Sequence, residues 1–505
     1  MNTKLLHYWN SLDRALKALV VVLLILGIFF RCTALAERPY WHDEAFTLIR
    51  SAGYTTVEIT QSVFNGQLID RSELLQFQQV TPERTWVDTI RALLAEEPHR
   101  GALYPLIARD WMQWIGSDVV SMRSLSVLLS LLVFPALFWL CIELFAQPLT
   151  AWIAVMLMAV SPFHVYYAQE VREYALWTVA ILVMSAALLR AIRVQTKATW
   201  SIYSLSIVAT LYTMILSVPL VMSQVVYQLY RDKIRKGVLI SASVALPWFV
   251  MVALNFSEVR RTSAWMTRSI PVLELLEHWM TNFQVVFLTE NLTGRFNLLF
   301  ASAIALLVFL SIKSLIQQTP KAVWSFVLLL ILPLVLCIAV PDLVSGGIRS
   351  TNSRYFVPTY LGIQIAVAYL LATRIQSGRY RTFWKLTLFV VLTAGVLSCS
   401  AQVFQNQIEE NKAIAELINQ SQTPIVISNE VSTQGEGTIG DILALSHLVR
   451  PETQFQLVIQ PQVPSIPNQP NLYLYKPLSY LQNKLEETYQ LQPIYKNQLF
   501  RILPK

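Results

Sequence analysis

The chain has 505 residues, of which 54% are hydrophobic and only 14% charged, with a mean hydropathy of +0.47. Soluble proteins carry about 25% charged residues, so this composition excludes a soluble globular protein and leaves a polytopic membrane protein covered by lipid. The formal net charge of +8 collects in short loops, where it carries topology, and it argues against a nucleic-acid binder.

A helix needs about 20 apolar residues to cross roughly 30 Å of hydrocarbon. The pattern predicts about eleven spans, near residues 17–36, 121–145, 149–166, 174–192, 199–214, 216–230, 237–254, 296–312, 322–340, 355–373 and 386–401. Arg14 and Lys17 precede the first run, and Ala34-Leu35-Ala36 has the small-x-small form of a signal cleavage site. The run is at the long end for a signal core, so it is read as a retained span.

After the first run comes Trp41-His42-Asp43-Glu44-Ala45-Phe46, an acidic pair at the entrance to a long polar loop, residues 37–120. With the N-terminus inside, the cytoplasmic segments collect Lys4, Arg14 and Lys17; Arg190, Arg193 and Lys197; Arg231, Lys233, Arg235 and Lys236; Lys313 and Lys321; and Arg374, Arg379, Arg381 and Lys385. Short basic loops stay inside, so Asp43 and Glu44 face outside. Within the loop, Tyr104 to Gly116 reads YPLIARDWMQWIG. It is too short and too charged to span, so it is expected to lie in the interface, where Trp rings are favoured.

The second external loop is short and dense, with Gln169, Glu170, Arg172 and Glu173 set among Tyr166, Tyr167 and Tyr174. Charges this close to lipid are costly and usually have a role; the competing reading is that Glu170 and Arg172 only cap or pair at helix ends. A later loop, Asp342 to Tyr355, places Arg349 and Arg354 on the non-cytoplasmic side, against the topological bias, and a bound anion is a good reason for them. Cys32, Cys141, Cys337 and Cys399 sit in or beside apolar runs and imply no disulfide framework or metal spacing.

An acidic pair after the first span, a Gln-Glu-x-Arg-x-Tyr loop after the third and a late Arg-Tyr are together specific. On these motifs the chain resembles the integral-membrane glycosyltransferases of the GT-C superfamily, family 39 type, which includes protein O-mannosyltransferases and the aminoarabinose transferases of lipid A. The resemblance covers about the first 400 residues. It implies an all-α polytopic membrane fold, the GT-C fold, in a domain spanning 1–401, and a polyprenyl-phosphate sugar as donor. The acceptor would be a lipid, a protein or a glycan.

By position, Asp43 matches the proposed catalytic base and Glu44 its acidic neighbour, while Glu170 and Arg172 match the second-loop site. Arg354 and Tyr355 match the late Arg-Tyr held to meet the donor phosphate, with Arg349 nearby. His99 to Tyr104, HRGALY, replaces a family stretch His-Pro-Pro-Leu-Tyr, and the change bears on the shape of the acceptor entrance. Gln169, Glu170, Tyr167, Tyr174, His99 and Tyr104 are the expected substrate-binding residues. A phosphate leaving group develops negative charge that arginine can stabilise without proton transfer, so one base, Asp43, suffices for inverting attack by the acceptor. A glycosidase needs two carboxylates. A divalent metal near His42, Asp43, Glu44 and His99 is disfavoured, because the ligand spacing is missing and the family 39 type looks independent of metal. No cofactor is expected.

Past residue 401 the sequence turns polar, with an expected helix over 405–419 and strands at 424–428, 455–459, 471–475 and 498–503. A small extracytoplasmic α/β domain over 402–505 fits. Gly435-Glu436-Gly437-Thr438-Ile439-Gly440 matches the dinucleotide motif formally, but it is read as a loop, since it follows its strand too late. The sequons at Asn255 and Asn291 are common triplets, from which no modification is inferred. The runner-up function is a transporter or flippase of lipid-linked sugars, and a third reading is an inactive scaffold or glycan sensor. Transporters place ionisable groups near the midplane in broken helices, whereas the notable charges of this chain cluster in loops at one face.

Overall fold

The computed structural model describes residues 8–10, 12–38, 40–231, 236–289, 294–376, 380–404, 410–432 and 438–505. The Asn291 sequon and the Gly435–Gly437 stretch lie outside them. The chain divides into two compact units: residues 1–34, 99–103 and 123–405 form one, and 35–98, 104–122 and 406–505 form the other.

The first unit is helical. Seven of its described helices are long and apolar enough to cross a membrane: Arg14–Cys32, Val119–Phe145, Tyr174–Val194, Asn297–Gln318, Lys321–Ser345, Ser353–Gln376 and Arg381–Val403. Pro148–Ala159 and Pro162–Ala168 form an eighth apolar element, bent by 60°. The remaining expected runs coincide with the shorter helices Lys197–Thr213 and Val218–Tyr230 and with Lys236–Leu254. Ser353–Gln376 is the central helix, its apolar window 94% buried.

Local chemistry explains the bend. A helix that stops after Ala159 leaves its last carbonyls without intrahelical partners, and lipid cannot supply donors. Arg31, fully buried, donates to Ala159 O at 2.9 Å and to Met158 O at 3.1 Å, and also to Gly27 O at 2.9 Å in its own helix. The approach is close enough that a Cβ on Gly27 would lie 2.6 Å from Ala159 O.

The second unit is built on a six-stranded sheet of order β1-β3-β2-β4-β6-β5, where β1 is Asn65–Asp70, β2 Ile425–Glu430, β3 Gln454–Ile459, β4 Leu472–Tyr475, β5 Tyr489–Tyr495 and β6 Leu499–Pro504. β2, β3 and β4 are parallel, and the others join antiparallel. Every residue of β2 is buried, as a central parallel strand requires. Helix Ile439–Leu448 links β2 to β3, and helix Ser479–Thr488 links β4 to β5.

The expected C-terminal strands are present, and the expected 405–419 helix is seen as Glu410–Ile418. The sheet also takes β1 from the first loop, with Ile69 opposite Phe455 and Asp70 opposite Gln454. A division of the chain at residue 401 therefore leaves out one strand of this sheet.

Candidate functional site

Within the helical unit, the second-loop residues and the late Arg-Tyr come together. Arg354 and Glu170 act electrostatically on Tyr167, and Arg354, Arg172 and Tyr355 act on Tyr174. The Arg172 guanidinium lies 6.0 Å from the Tyr174 ring centre, and that of Arg354 lies 5.5 Å from Tyr355. The tyrosines stack edge to face, Tyr166 on Tyr167 at 5.0 Å and Tyr167 on Tyr174 at 4.9 Å. Glu170 and Tyr174 are buried, so two arginines and a carboxylate share one aromatic-walled environment of low polarity, where charge interactions are strong.

Two expected site residues have structural partners. The Gln169 amide lies within 2.7 Å of Phe30 O, 3.2 Å of Arg31 O and 2.8 Å of Thr33 O, closing the C-terminal end of the first helix. Arg349 Nη1 donates to Asp342 Oδ1 at 2.7 Å, and Asp342 Oδ2 accepts from Ser350 N at 2.6 Å and from Ser350 Oγ at 2.7 Å. That clamp fixes the loop and offsets the Arg349 charge, which the sequence reading assigned to an anion.

Glu173 was given no site role from the sequence, yet it anchors the cluster. Its Oε2 lies 3.3 Å from Arg100 Nη2 and 3.7 Å from Arg172 Nε. Arg100 stands where the resembled family has proline, so the substitution introduces a buried ion pair. Gly101 beside it packs on backbone: a Cβ there would meet Tyr212 O at 2.2 Å. Gln-Glu-x-Arg-Glu held the signal, because an acid adjacent to Arg172 was in view.

The acidic pair belongs to the second unit and starts helix His42–Ala52, in whose first turn Asp43 and Glu44 favour the helix dipole. Glu44 is buried, whereas the Asp43 side chain keeps 17% of its surface. The far end of the helix is fastened by Arg109, which donates to Ser51 O at 3.2 Å and Ala52 O at 3.0 Å, and by an ion pair of Arg50 with Glu96. Arg109 sits in helix Leu103–Trp114, the stretch expected in the interface; Trp114 and Ile115 at its end are exposed. Tyr104, in the same helix, is fully buried.

The near end of the Asp43 helix meets helix Ile439–Leu448. A Cβ on Gly440 would lie 2.8 Å from His42 Cβ and 2.7 Å from Phe46 Cε2. His42 Nε2 is 3.7 Å from Asp43 Oδ1, His42 Nδ1 is 3.6 Å from Asp441 Oδ1, and Asp441 Oδ2 accepts from Lys476 Nζ at 2.7 Å. Burial alone would push the Asp441 carboxyl up, but the His42 ring and the Lys476 ammonium outweigh it and hold the group below the usual carboxylate range. Among the described residues no three His, Cys, Asp or Glu side chains gather closely enough to hold a metal ion.

No protein-family model matches the chain, and no curated protein matches it in sequence. Solved structures do. ArnT from Cupriavidus metallidurans bound to undecaprenyl phosphate superposes with a TM-score of 0.54 at 13% identity, covering 96% of this chain and 97% of that one. The apo form of the same enzyme gives 0.53 at 12% identity, covering 97% and 98%. The apo Archaeoglobus fulgidus oligosaccharyltransferase gives 0.51 at 12% identity over 88% of this chain, which spans 65% of that one. At these identities the likeness establishes the fold, and it is the GT-C fold expected from the motifs.

Proposed function

We propose that the chain is an integral-membrane glycosyltransferase that moves a sugar from a polyprenyl-phosphate carrier to an extracytoplasmic acceptor, a lipid, a protein or a polysaccharide, with inversion. The observation that carries the reading is the convergence of Arg172, Arg354 and Glu170 on Tyr167 and Tyr174 in the helical unit. Undecaprenyl phosphate bound by a structural neighbour that matches nearly the whole chain supports the donor class.

The roles follow from the chemistry. When the glycosidic bond breaks, the leaving phosphate gains negative charge. Arginine is permanently protonated and presents a planar fork of donors to it. We assign the phosphate to Arg354 and Arg172, with Tyr355 beside Arg354, and give Arg349 a supporting part through its Asp342 clamp. Tyr167 and Tyr174 offer flat faces and hydroxyls to a sugar, and Glu170 offers an acceptor for its hydroxyls. His99 and Tyr104 belong to the acceptor entrance. Asp43 takes the proton of the acceptor hydroxyl or amine as it attacks the anomeric carbon, with Glu44 as a buried support. The positive-inside bias places the N-terminus in the cytoplasm and this chemistry outside.

The test compares lipid-linked sugars and surface glycans by mass spectrometry in cells with the gene, without it, and with Asp43→Asn. The proposal expects the donor to accumulate and one glycan to lose a residue in the last two. Unchanged glycans in both would overturn it.

A further inference from the structure

The sheet domain that follows residue 405 ends in no obvious chemistry of its own, yet its described contacts run toward the helix carrying Asp43. After β2 the chain turns to β3 on one side in the strand order, and after β4 to β5 on the other, and the carboxyl ends of such parallel strands are where open α/β sheets gather functional groups. Asp441 lies in the first turn of the helix after β2, and Lys476 follows β4 directly. Asp441 reaches His42, and Lys476 reaches Asp441.

We infer that the C-terminal sheet domain positions the base: Lys476, Asp441 and His42 form a ladder of polar contacts that ends on Asp43. The inference rests on the assignment of Asp43 as base. Its geometry is independent of that assignment. Both ring nitrogens of His42 are engaged, one by a carboxylate at 3.6 Å and the other by a carboxylate at 3.7 Å. These are ion-pair distances, longer than a formed hydrogen bond, and they hold the ring between the two carboxylates. Lys476, Asp441, His42 and Asp43 thus follow one another in line, which fixes the Asp43 side chain in direction, as a base must be before the acceptor arrives.

Packing makes the same point through a second observation. Gly440, next to Asp441, is the only residue type that lets the two helices approach this closely, because any Cβ would strike His42 Cβ and Phe46. The contact is extended by Gln78, which donates to Leu443 O at 3.2 Å, by Arg71, which donates to Ser446 O at 2.6 Å, and by the pairing of β1 with β3. The other groups around His42 are the Trp41 ring at 4.8 Å and the Phe46 ring at 6.3 Å, which carry no charge. Asp43 on its own helix, Asp441 on the facing one and Lys476 behind it are, among the described residues, the charged groups that face the ring. His42 and Asp441 act through Asp43, and are positioning residues.

The experiment uses the full chain in phospholipid nanodiscs with nitrogen-15 histidine, His42 being assigned by its loss in His42→Gln, and transfer is read with membranes of gene-deleted cells supplying donor and acceptor. Asp441→Asn is expected to move the nitrogen-15 signals of His42, since it removes the charge that faces Nδ1 at 3.6 Å. It should cut turnover by up to about a hundredfold, the scale of a misplaced catalytic group, with the donor KM unchanged. Asp441→Glu should restore most of the turnover, and Lys476→Met should lose less than Asp441→Asn.

Asp43→Asn, measured alongside, separates two failures. Full transfer by Asp43→Asn removes the base and this inference with it. An inactive Asp43→Asn, together with wild-type turnover and pH profile in Asp441→Asn and His42→Gln, removes the positioning role alone.

Discussion

Arg100 Nη2 and Glu173 Oε2 meet at 3.3 Å with both side chains almost fully buried. Removing one partner of such a pair leaves an uncompensated charge out of water, at a cost of about 3–5 kcal/mol. Arg100→Ala should therefore lower thermal stability in detergent strongly, and Glu173→Gln should do so too. The double change Arg100→Met, Glu173→Leu should recover much of the loss, because apolar replacement of a buried pair is often tolerated. Full stability in either single variant would contradict the burial argument.

Gly101 tests the backbone on the other side of the same segment. A methyl group would sit 2.2 Å from Tyr212 O and 2.5 Å from Thr213 O, and Arg100 forms a β-bridge with Met214. Neither backbone atom is the end of a flexible side chain, so the segment must shift. Gly101→Ala should cost about 1–3 kcal/mol, the range for overpacking, read as a drop in unfolding temperature.

Much of this was legible in the sequence, and the exceptions have physical reasons. Each apolar run coincides with a helix because lipid enforces both length and hydrophobicity. Strands β2, β3, β4 and β6 showed as short apolar runs. β1 did not, since Asn65-Gly66-Gln67-Leu68-Ile69-Asp70 lacks alternation and is an edge strand whose partner, β3, is remote in sequence. The motif residues Arg172, Arg354 and Glu170 were visible by type and loop. The occupations of Gln169 by helix-end carbonyls and of Arg349 by Asp342 were not, because a sequence gives the charge of a side chain and not the direction it points.

Arg354 and Arg349 should separate in donor binding. Arg354 lies by the Tyr167–Tyr174 wall, whereas Arg349 is already paired with Asp342. With undecaprenyl phosphate as probe, Arg354→Lys should weaken binding about tenfold, because lysine keeps the charge but loses the planar fork. Arg349→Lys should change affinity less and stability more. Equal effects on affinity would assign the phosphate to both arginines.

Acid should loosen the first-loop unit through Glu58. Burial alone would raise its pKa, but hydrogen bonds from Thr55 N at 2.8 Å and Thr55 Oγ1 at 2.9 Å, with Arg84 at 3.0 Å, outweigh burial and lower it. A carboxyl whose folded pKa is depressed stabilises the fold above its unfolded value, near 4.3, and that contribution fades as pH falls through the folded value. The protection of helix Thr56–Val63 against hydrogen exchange, measured relative to the intrinsic exchange rate at each pH, should therefore fall as pH drops below about 5. In Glu58→Gln the protection should already be lower at neutral pH and lose most of this pH dependence, since glutamine has no proton to bind. If the acid loss of protection is undiminished in Glu58→Gln, another carboxylate governs the helix.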